Sequence, residues 1–383
     1  MSSVAEIFLP TEIVLQIVSR VDRSLRGHER QRTLYTLCLV SHQWYSAALS
    51  FLYARPRLEK GNAYRKFTAI LCPPASAPKT SKDLGRLVRR LDLSRLVHHS
   101  SNSMTARLIG RVRENLEVFI APASGFSVNS FSPLSKCTKL RYLDLSLVNE
   151  SFQFDSVIKS LRYMQHLVDF RAPGFMRITQ DTVALRADSG GPTWPASIEQ
   201  LQLSGTIDIN MGTFRWPENI TQLTLKHCMN LSLYVMTGLL GNHQLDENLK
   251  RLTVSTYNRG LQPECIHLIP VFLPNLLFLS IPGDLVHDIF FSMMKHRGKK
   301  LALEVLELGH THTGDKLDFS IQSLINVLDT SLPNLRAVGF HTMYGDDHPD
   351  LDDALLKRAE EKADELPISD ETVEFDAGTY YFD

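Results

Sequence analysis

ITQLTL, Ile220 to Leu225, carries apolar side chains at its first, fourth and sixth positions and polar ones elsewhere. In an extended strand successive side chains point to opposite faces, so Leu223 and Leu225 enter one face while Thr224 stands on the other. A strand this short buries nothing alone, and its meaning comes from recurrence. The same pattern returns as VRRLDL at Val88, LEVFIA at Leu116, LRYLDL at Leu140, LVDFRA at Leu167, IEQLQL at Ile198, LKRLTV at Leu249, LLFLSI at Leu276, LEVLEL at Leu303 and LRAVGF at Leu335. The starts lie roughly 22 to 32 residues apart, a spacing at which each repeat adds one strand to a shared sheet and covers its neighbour's apolar face.

Apolar patches of helical spacing fall between the strands: FDSVIKSLRYM (Phe154 to Met164), LSLYVMTGLL (Leu231 to Leu240), DLVHDIFFSMMKH (Asp284 to His296) and IQSLINVLDT (Ile321 to Thr330). The expected class is therefore α/β. The recurring pattern resembles the leucine-rich repeat, which implies an irregular solenoid over residues 83–345. An alternating α/β sheet of another kind stays open, because the Asn or Cys usual three positions after the last strand leucine is clear only at Cys228. The residues between the paired apolar positions would line the concave face: Asp92, Asp144, Arg171, Gln202, Thr224, Thr253, Ser280 and Glu307, with Gly339 in the last copy. Their mixed signs and sizes make neither a phosphate-tracking groove nor an aromatic stacking platform, so the surface reads as one for a protein substrate that the sequence does not identify.

The first 60 residues have a different texture. FLPTEIVLQIVSRV (Phe8 to Val21) reads as a short amphipathic helix opened by Pro10, with apolar stripes at Ile13, Ile17 and Val21 and at Val14 and Val18. LYTLCLVSHQWYSAALSFLY (Leu34 to Tyr53) reads as a helix ending near Val40, then Ser41 as the cap of a third helix bearing Trp44, Ala48 and Leu52. The charged segment DRSLRGHERQR, Asp22 to Arg32, is expected to lengthen the loop between the two halves. Leu9, Pro10, Glu12 and Ile13, followed by Leu39, Val40, Ser41 and Trp44, resemble the F-box in order and spacing. The ending at Leu52 and Tyr53 is similar to fungal members. The resemblance implies a small all-α F-box module at 1–60, docking on a Skp-family adaptor through Leu9, Pro10, Glu12, Ile13, Ile17, Leu39, Val40, Ser41, Trp44 and Leu52. It further implies a cullin partner held through that adaptor and a role as substrate-recognition subunit of an SCF-type ubiquitin ligase. A scaffold that binds the adaptor without directing degradation is the alternative.

A stretch rich in proline and small polar residues, Cys72 to Asp83, marks a connector, placed at 61–82. Residues 346–383 hold about fourteen acidic against three basic side chains and read as an acidic cap and tail. The first 115 residues reverse that balance, with about nineteen basic against eight acidic. Over all 383 residues the formal charge is −1, which argues against a global electrostatic grip on nucleic acid. Five scattered cysteines without metal or redox spacing, and no continuous apolar run of membrane length, point to a cytoplasmic or nuclear protein with no membrane partner.

Catalytic signals are thin. ADSGGP, Ala187 to Pro192, approaches the sequence around the nucleophile of chymotrypsin-like serine proteases. Ser189 has no matching histidine segment upstream, though, and Gly-Gly-Pro is what a surface loop contains. His98 with His99, and His310 with His312, lack the further ligands that a zinc site needs. No cofactor is expected, and a serine hydrolase is the weakest reading.

Overall fold

The computed structural model describes residues 9–74, 83–96, 101–179, 194–209, 211–296, 300–345, 347–365 and 377–383. Two compact units emerge, Met1–Glu150 with Ser156–Val168, and Ser151–Asp155 with Asp169–Asp383.

The first unit begins with helices α1 (Thr11–Ser24), α2 (Gly27–Leu37) and α3 (His42–Ala54). Their core is Val14, Val18, Leu34, Ala47 and Ala48, with Leu9, Val21, Leu37, Trp44, Phe51 and Leu52 half-buried around it. A core this small needs polar bracing. Arg30 is buried and forms an ion pair with Asp22. It also donates to the carbonyls of Phe51 at 2.8 Å and Arg55 at 3.3 Å, while Arg55 reaches Asp22 at 2.5 Å. A buried guanidinium is tolerable only when its charge and donors are met in this way. The charged segment is therefore not a lengthened loop. Asp22 to Ser24 complete α1 and Gly27 onward opens α2, so that only Leu25 and Arg26 link the two helices.

The connector placed at 61–82 is in its first half a helix, α4 (Gly61–Leu71). Tyr64, Phe67, Thr68 and Leu71 are buried at the spacing of one helical face, and Phe67 stacks on Tyr53 with centroids 6.1 Å apart. Beyond it, β1 (Arg90–Asp92), β2 (Val118–Ile120) and β3 (Tyr142–Asp144) pair in parallel, Leu91 opposite Phe119 opposite Leu143.

In the second unit β4 (Ser151–Gln153) pairs with β6 (Phe175–Thr179), and β6 with the far half of β7 (Gln200–Asp208). The near half of β7 lies between β5 (Asp169–Arg171) and β8 (Gln222–Cys228). From there β9 (Arg251–Val254), β10 (Phe278–Pro282), β11 (Val305–Gly309), β12 (Ala337–His341) and β13 (Gly378–Phe382) follow in chain order, every pair parallel. Parallel neighbours need a crossover, and helices supply it at Leu233–Leu240, Asp288–His296 and Ile321–Leu328, where the apolar patches fall. All ten copies of the six-residue pattern lie on strands, and every one of their apolar positions is buried, Leu223 and Leu225 with no exposure at all.

Two asparagine devices hold successive repeats together. Asn115, Asn219, Asn248 and Asn275 each precede the first apolar residue of a copy, and each donates its side-chain amide to a carbonyl of the segment leading into the preceding copy, at Arg86, Ala196, Glu218 and Asp246 respectively, at 2.7 to 3.2 Å. At the other end of the strands Asn258, almost fully buried, accepts from the Cys228 amide at 2.9 Å and donates to the carbonyls of Leu225 and Ser255. The acidic terminal section contributes a helix, Pro349–Glu365, and then β13, which makes the tail a true strand of the sheet.

Candidate protein-interaction surfaces

The helical module divides the residues of its motif into two groups. Leu9, Trp44 and Leu52 pack against the core, and Ser41 caps α3 by accepting the Trp44 amide at 3.4 Å. Leu9 also accepts a hydrogen bond at its carbonyl from the Gln43 side chain, at 2.8 Å. The exposed Pro10 sits at the cap position, one residue before the helix proper, where its carbonyl accepts from the Ile13 and Val14 amides. Glu12 lies exposed in the first turn, the favourable end for a carboxylate. The second group faces water. Ile13 is 40% exposed, Ile17 39%, Leu39 68% and Val40 59%, while the buried stripe of α1 is Val14 and Val18. Such a group of exposed aliphatic side chains on a small module costs solvation unless a partner covers it.

In the second unit the strand register places Arg171, Gln202, Thr224, Thr253, Ser280, Glu307 and Gly339 in one row across adjacent strands. The first five line a groove of about 440 Å³, walled further by Lys226, Tyr257, His310, His341 and Asp383. Its floor offers hydroxyls and amides, its rim charges of both signs. Tyr257 is 62% exposed on the wall and stacks on His227 with centroids 5.3 Å apart. Exposed aromatic side chains of this kind often dominate binding surfaces. The repeat pattern could not point to it, because it lies in the loop after the strand.

Glu307, Gly339, Asp92 and Asp144 of the expected face stand apart from the groove. Glu307 accepts the Tyr380 hydroxyl at 2.9 Å, so the last strand engages it, and burial first, then this pairing, raises the tyrosine pKa. Asp92 and Asp144 belong to the first unit and hold the turns that leave β1 and β3. Asp92 accepts from the Ser94 amide and hydroxyl at 3.1 and 2.7 Å, and Asp144 from those of Ser146 at 2.9 and 2.6 Å. The shared Leu-Asp-Leu-Ser sequence is the local signal for this turn.

Among the described residues no group of three or more histidine, cysteine or acidic side chains could hold a metal ion. His310 contacts the carbonyl of Thr311 at 3.0 Å, and His312 that of Thr256 at 2.6 Å. The His312 amide also donates to Asp284 at 2.8 Å. Burial would raise the Asp284 carboxyl, but the hydrogen bonds from Thr313 and His312 outweigh it and hold the pKa below the usual range. These histidines knit loops together. Ser189, His98 and His99 lie outside the described residues. Burial pushes the thiols of Cys137 and Cys228 up to about 12, which removes nucleophilic character. No described helix is long and apolar enough to cross a membrane.

No family model matches the chain. Among curated proteins it is similar to the F-box protein YDR306C of Saccharomyces cerevisiae, 29% identical over 259 residues, which cover 66% of this chain and 50% of that protein. The chain thus spans about half the length of that relative. It is also similar to the protein pof5 of Schizosaccharomyces pombe, 24% identical over 315 residues, covering 81% of this chain and 85% of the relative. Among solved structures, a chain of the yeast Rad7 and Elc1 complex overlaps 85% of this chain and 92% of its own length, with a TM-score of 0.35 and 14% identity.

Proposed function

We propose that this chain, an F-box protein with a C-terminal repeat region, is the substrate-recognition subunit of an SCF-type cullin-RING ubiquitin ligase. The observation that carries the reading is the exposure of Ile13, Ile17, Leu39 and Val40 at positions of the F-box motif, with Leu9, Trp44 and Leu52 supporting them from below. A Skp-family adaptor covers these aliphatic side chains and brings the cullin. The repeats form a leucine-rich solenoid that captures a protein substrate in the groove over Thr224, Thr253 and Ser280, with Tyr257 as its anchor. The protein carries out no bond chemistry of its own. Holding a target beside a ubiquitin-charged enzyme raises the effective concentration of the target lysine, by up to millimolar amounts for short flexible links.

Val40→Asp is the direct test. The side chain is exposed and outside the helical core, so the fold survives, and adaptor co-purification with the full chain should fall at least about tenfold when a charge meets an apolar partner surface. Retention of the adaptor at wild-type levels would refute the interface. A cullin recovered along with the adaptor supports a ligase, whereas adaptor without cullin supports the non-degradative scaffold.

A further inference from the structure

We propose that an arginine-lined cavity in the first unit binds a small anion carrying two or more phosphate groups. The cavity encloses about 340 Å³, within the range of small-molecule sites. Arg26, Arg30, Arg55, Arg57, Arg90 and Arg95 face it, against only Glu59 and Asp92 on its wall. The ion pairs absorb part of this charge. Asp22 pairs with both Arg30 and Arg55, Glu59 with Arg57 at 2.6 Å and Arg95 at 3.0 Å, and Asp92 with Arg90 at 3.0 Å. Three carboxylates thus serve six guanidinium groups, and three positive charges remain unmatched.

The placement of two of these arginines is the stronger argument. The amino end of α2 carries partial positive charge and unpaired amides, and proteins usually meet it with Asp or Ser. Here Arg26 occupies the cap position with no side-chain capping bond, and its guanidinium has no partner among the described residues. The next residue, Gly27, has φ +52°, and a Cβ placed there would lie 2.8 Å from a terminal nitrogen of Arg57. A second guanidinium therefore rests on the first turn of the same helix. Glu29 in the first turn offsets part of the positive end, and an anion entering between the two guanidinium groups would complete the compensation.

The chemistry of the walls selects phosphate. Guanidinium forks match phosphate oxygens bidentately, and several converge from different elements: the α1–α2 link, the segment after α3 and the β1 region. No aromatic side chain lines the cavity, and Pro56 and Leu58 close part of it, so it suits a compact polyanion better than a nucleic-acid strand. An occupant would brace these three elements together and stabilise the unit that presents the adaptor surface.

Pyrophosphate and inositol 1,4,5-trisphosphate, titrated calorimetrically into the full chain, test the site. One equivalent of each should bind and raise the melting temperature. Arg26→Gln and Arg57→Gln should each weaken binding by about tenfold or more, the usual loss for a charge-assisted hydrogen bond, while Arg65→Gln on the exposed face of α4 changes nothing. Neither cavity side chain belongs to a buried core, so the free variants should melt with the wild type. Sedimentation with vesicles containing phosphatidylinositol 4,5-bisphosphate separates the sources. Capture on vesicles assigns a lipid head group, and binding of the soluble probes alone assigns a free anion. The proposal falls if neither probe binds, if both variants bind as the wild type does, or if only an acidic peptide such as polyglutamate saturates the cavity. Val40→Asp should leave pyrophosphate binding intact, so this site and the adaptor interface stand or fall separately.

Discussion

Asn258, just beyond β9, joins two successive repeats through three hydrogen bonds made in the interior. It meets the Cys228 amide and the carbonyls of Leu225 and Ser255 from a position with almost no solvent access. Asn258→Ala should strand these groups in the interior and cost about 1 to 3 kcal/mol in a denaturant melt, the usual penalty for buried groups left unmade. The paired positions Thr224 and Leu225 separate the two faces of a strand. Leu225 is wholly buried, and Leu225→Ala should cost about 2 to 5 kcal/mol through lost transfer energy and a residual cavity. Thr224 is half-exposed in the groove, so Thr224→Ala should change stability by less than about 0.5 kcal/mol and register only in partner binding. Equal effects of the two substitutions would show that the register of β8 is wrong.

At the scale of elements, β13 is the instructive case. It closes the sheet by pairing with β12, and Tyr380 lies across Gly339 to reach Glu307 on β11. A Cβ at Gly339 would come within 2.7 Å of the Tyr380 ring, so only glycine lets the tyrosine cross. Gly339→Ala should lower the melting temperature. In a Tyr380→Ala background the same substitution should cost little, a coupling that a double-mutant cycle reads directly. Additive effects would show that the close approach does not constrain the strand. Removal of residues 377–383 should leave the outer edge of β12 unpaired and raise the tendency to aggregate, measurable by light scattering, because an open edge is a template for another chain.

For the whole molecule, pH is the most revealing variable. His227, His267 and His341 are all held below the usual histidine range, in each case first by burial. Lys226 adds to the effect at His227 and His287 at His267. At His341, His310 adds while Asp383 opposes. A group whose folded pKa lies below its unfolded value binds fewer protons when folded. Its contribution is therefore complete above the unfolded pKa, about 6.5, and declines as the pH falls through that value toward the folded one. The melting temperature should drop between pH 7.5 and 5.5. His267 faces the ring of His287 at 5.4 Å and feels Glu264, which opposes the shift, and its Nε2 is buried without a hydrogen-bond partner. His267→Leu should flatten the slope over this interval. An unchanged slope would place the proton uptake elsewhere.

The alternation within six residues was sufficient to locate all ten strands of the pattern, because side-chain direction in a strand is set by immediate neighbours. Local chemistry likewise marked the Ser41 cap and the helices between strands. The connector reading of 61–71 failed because the proline-rich run after it masked the spacing of Tyr64, Phe67, Thr68 and Leu71, which is itself a helical signal. The Asn115, Asn219, Asn248 and Asn275 series was also written in the sequence, one residue before four of the ten copies, but its purpose requires knowing which carbonyl lies beside it. Other features had no local signal at all. α1 carries two apolar stripes, and only packing against the neighbouring helices decides that Val14 and Val18 go inside while Ile13 and Ile17 stay exposed. Tyr380 and Glu307 meet across 73 residues of chain, and the arginines of the cavity converge from three separate elements. The sequence by itself determined periodic, short-range structure, since the forces that choose it act between residues a few positions apart. Which face is buried, which strand ends the sheet and which charges gather around a cavity were decided by the tertiary structure, because burial and Coulomb energy depend on distances that chain separation does not encode.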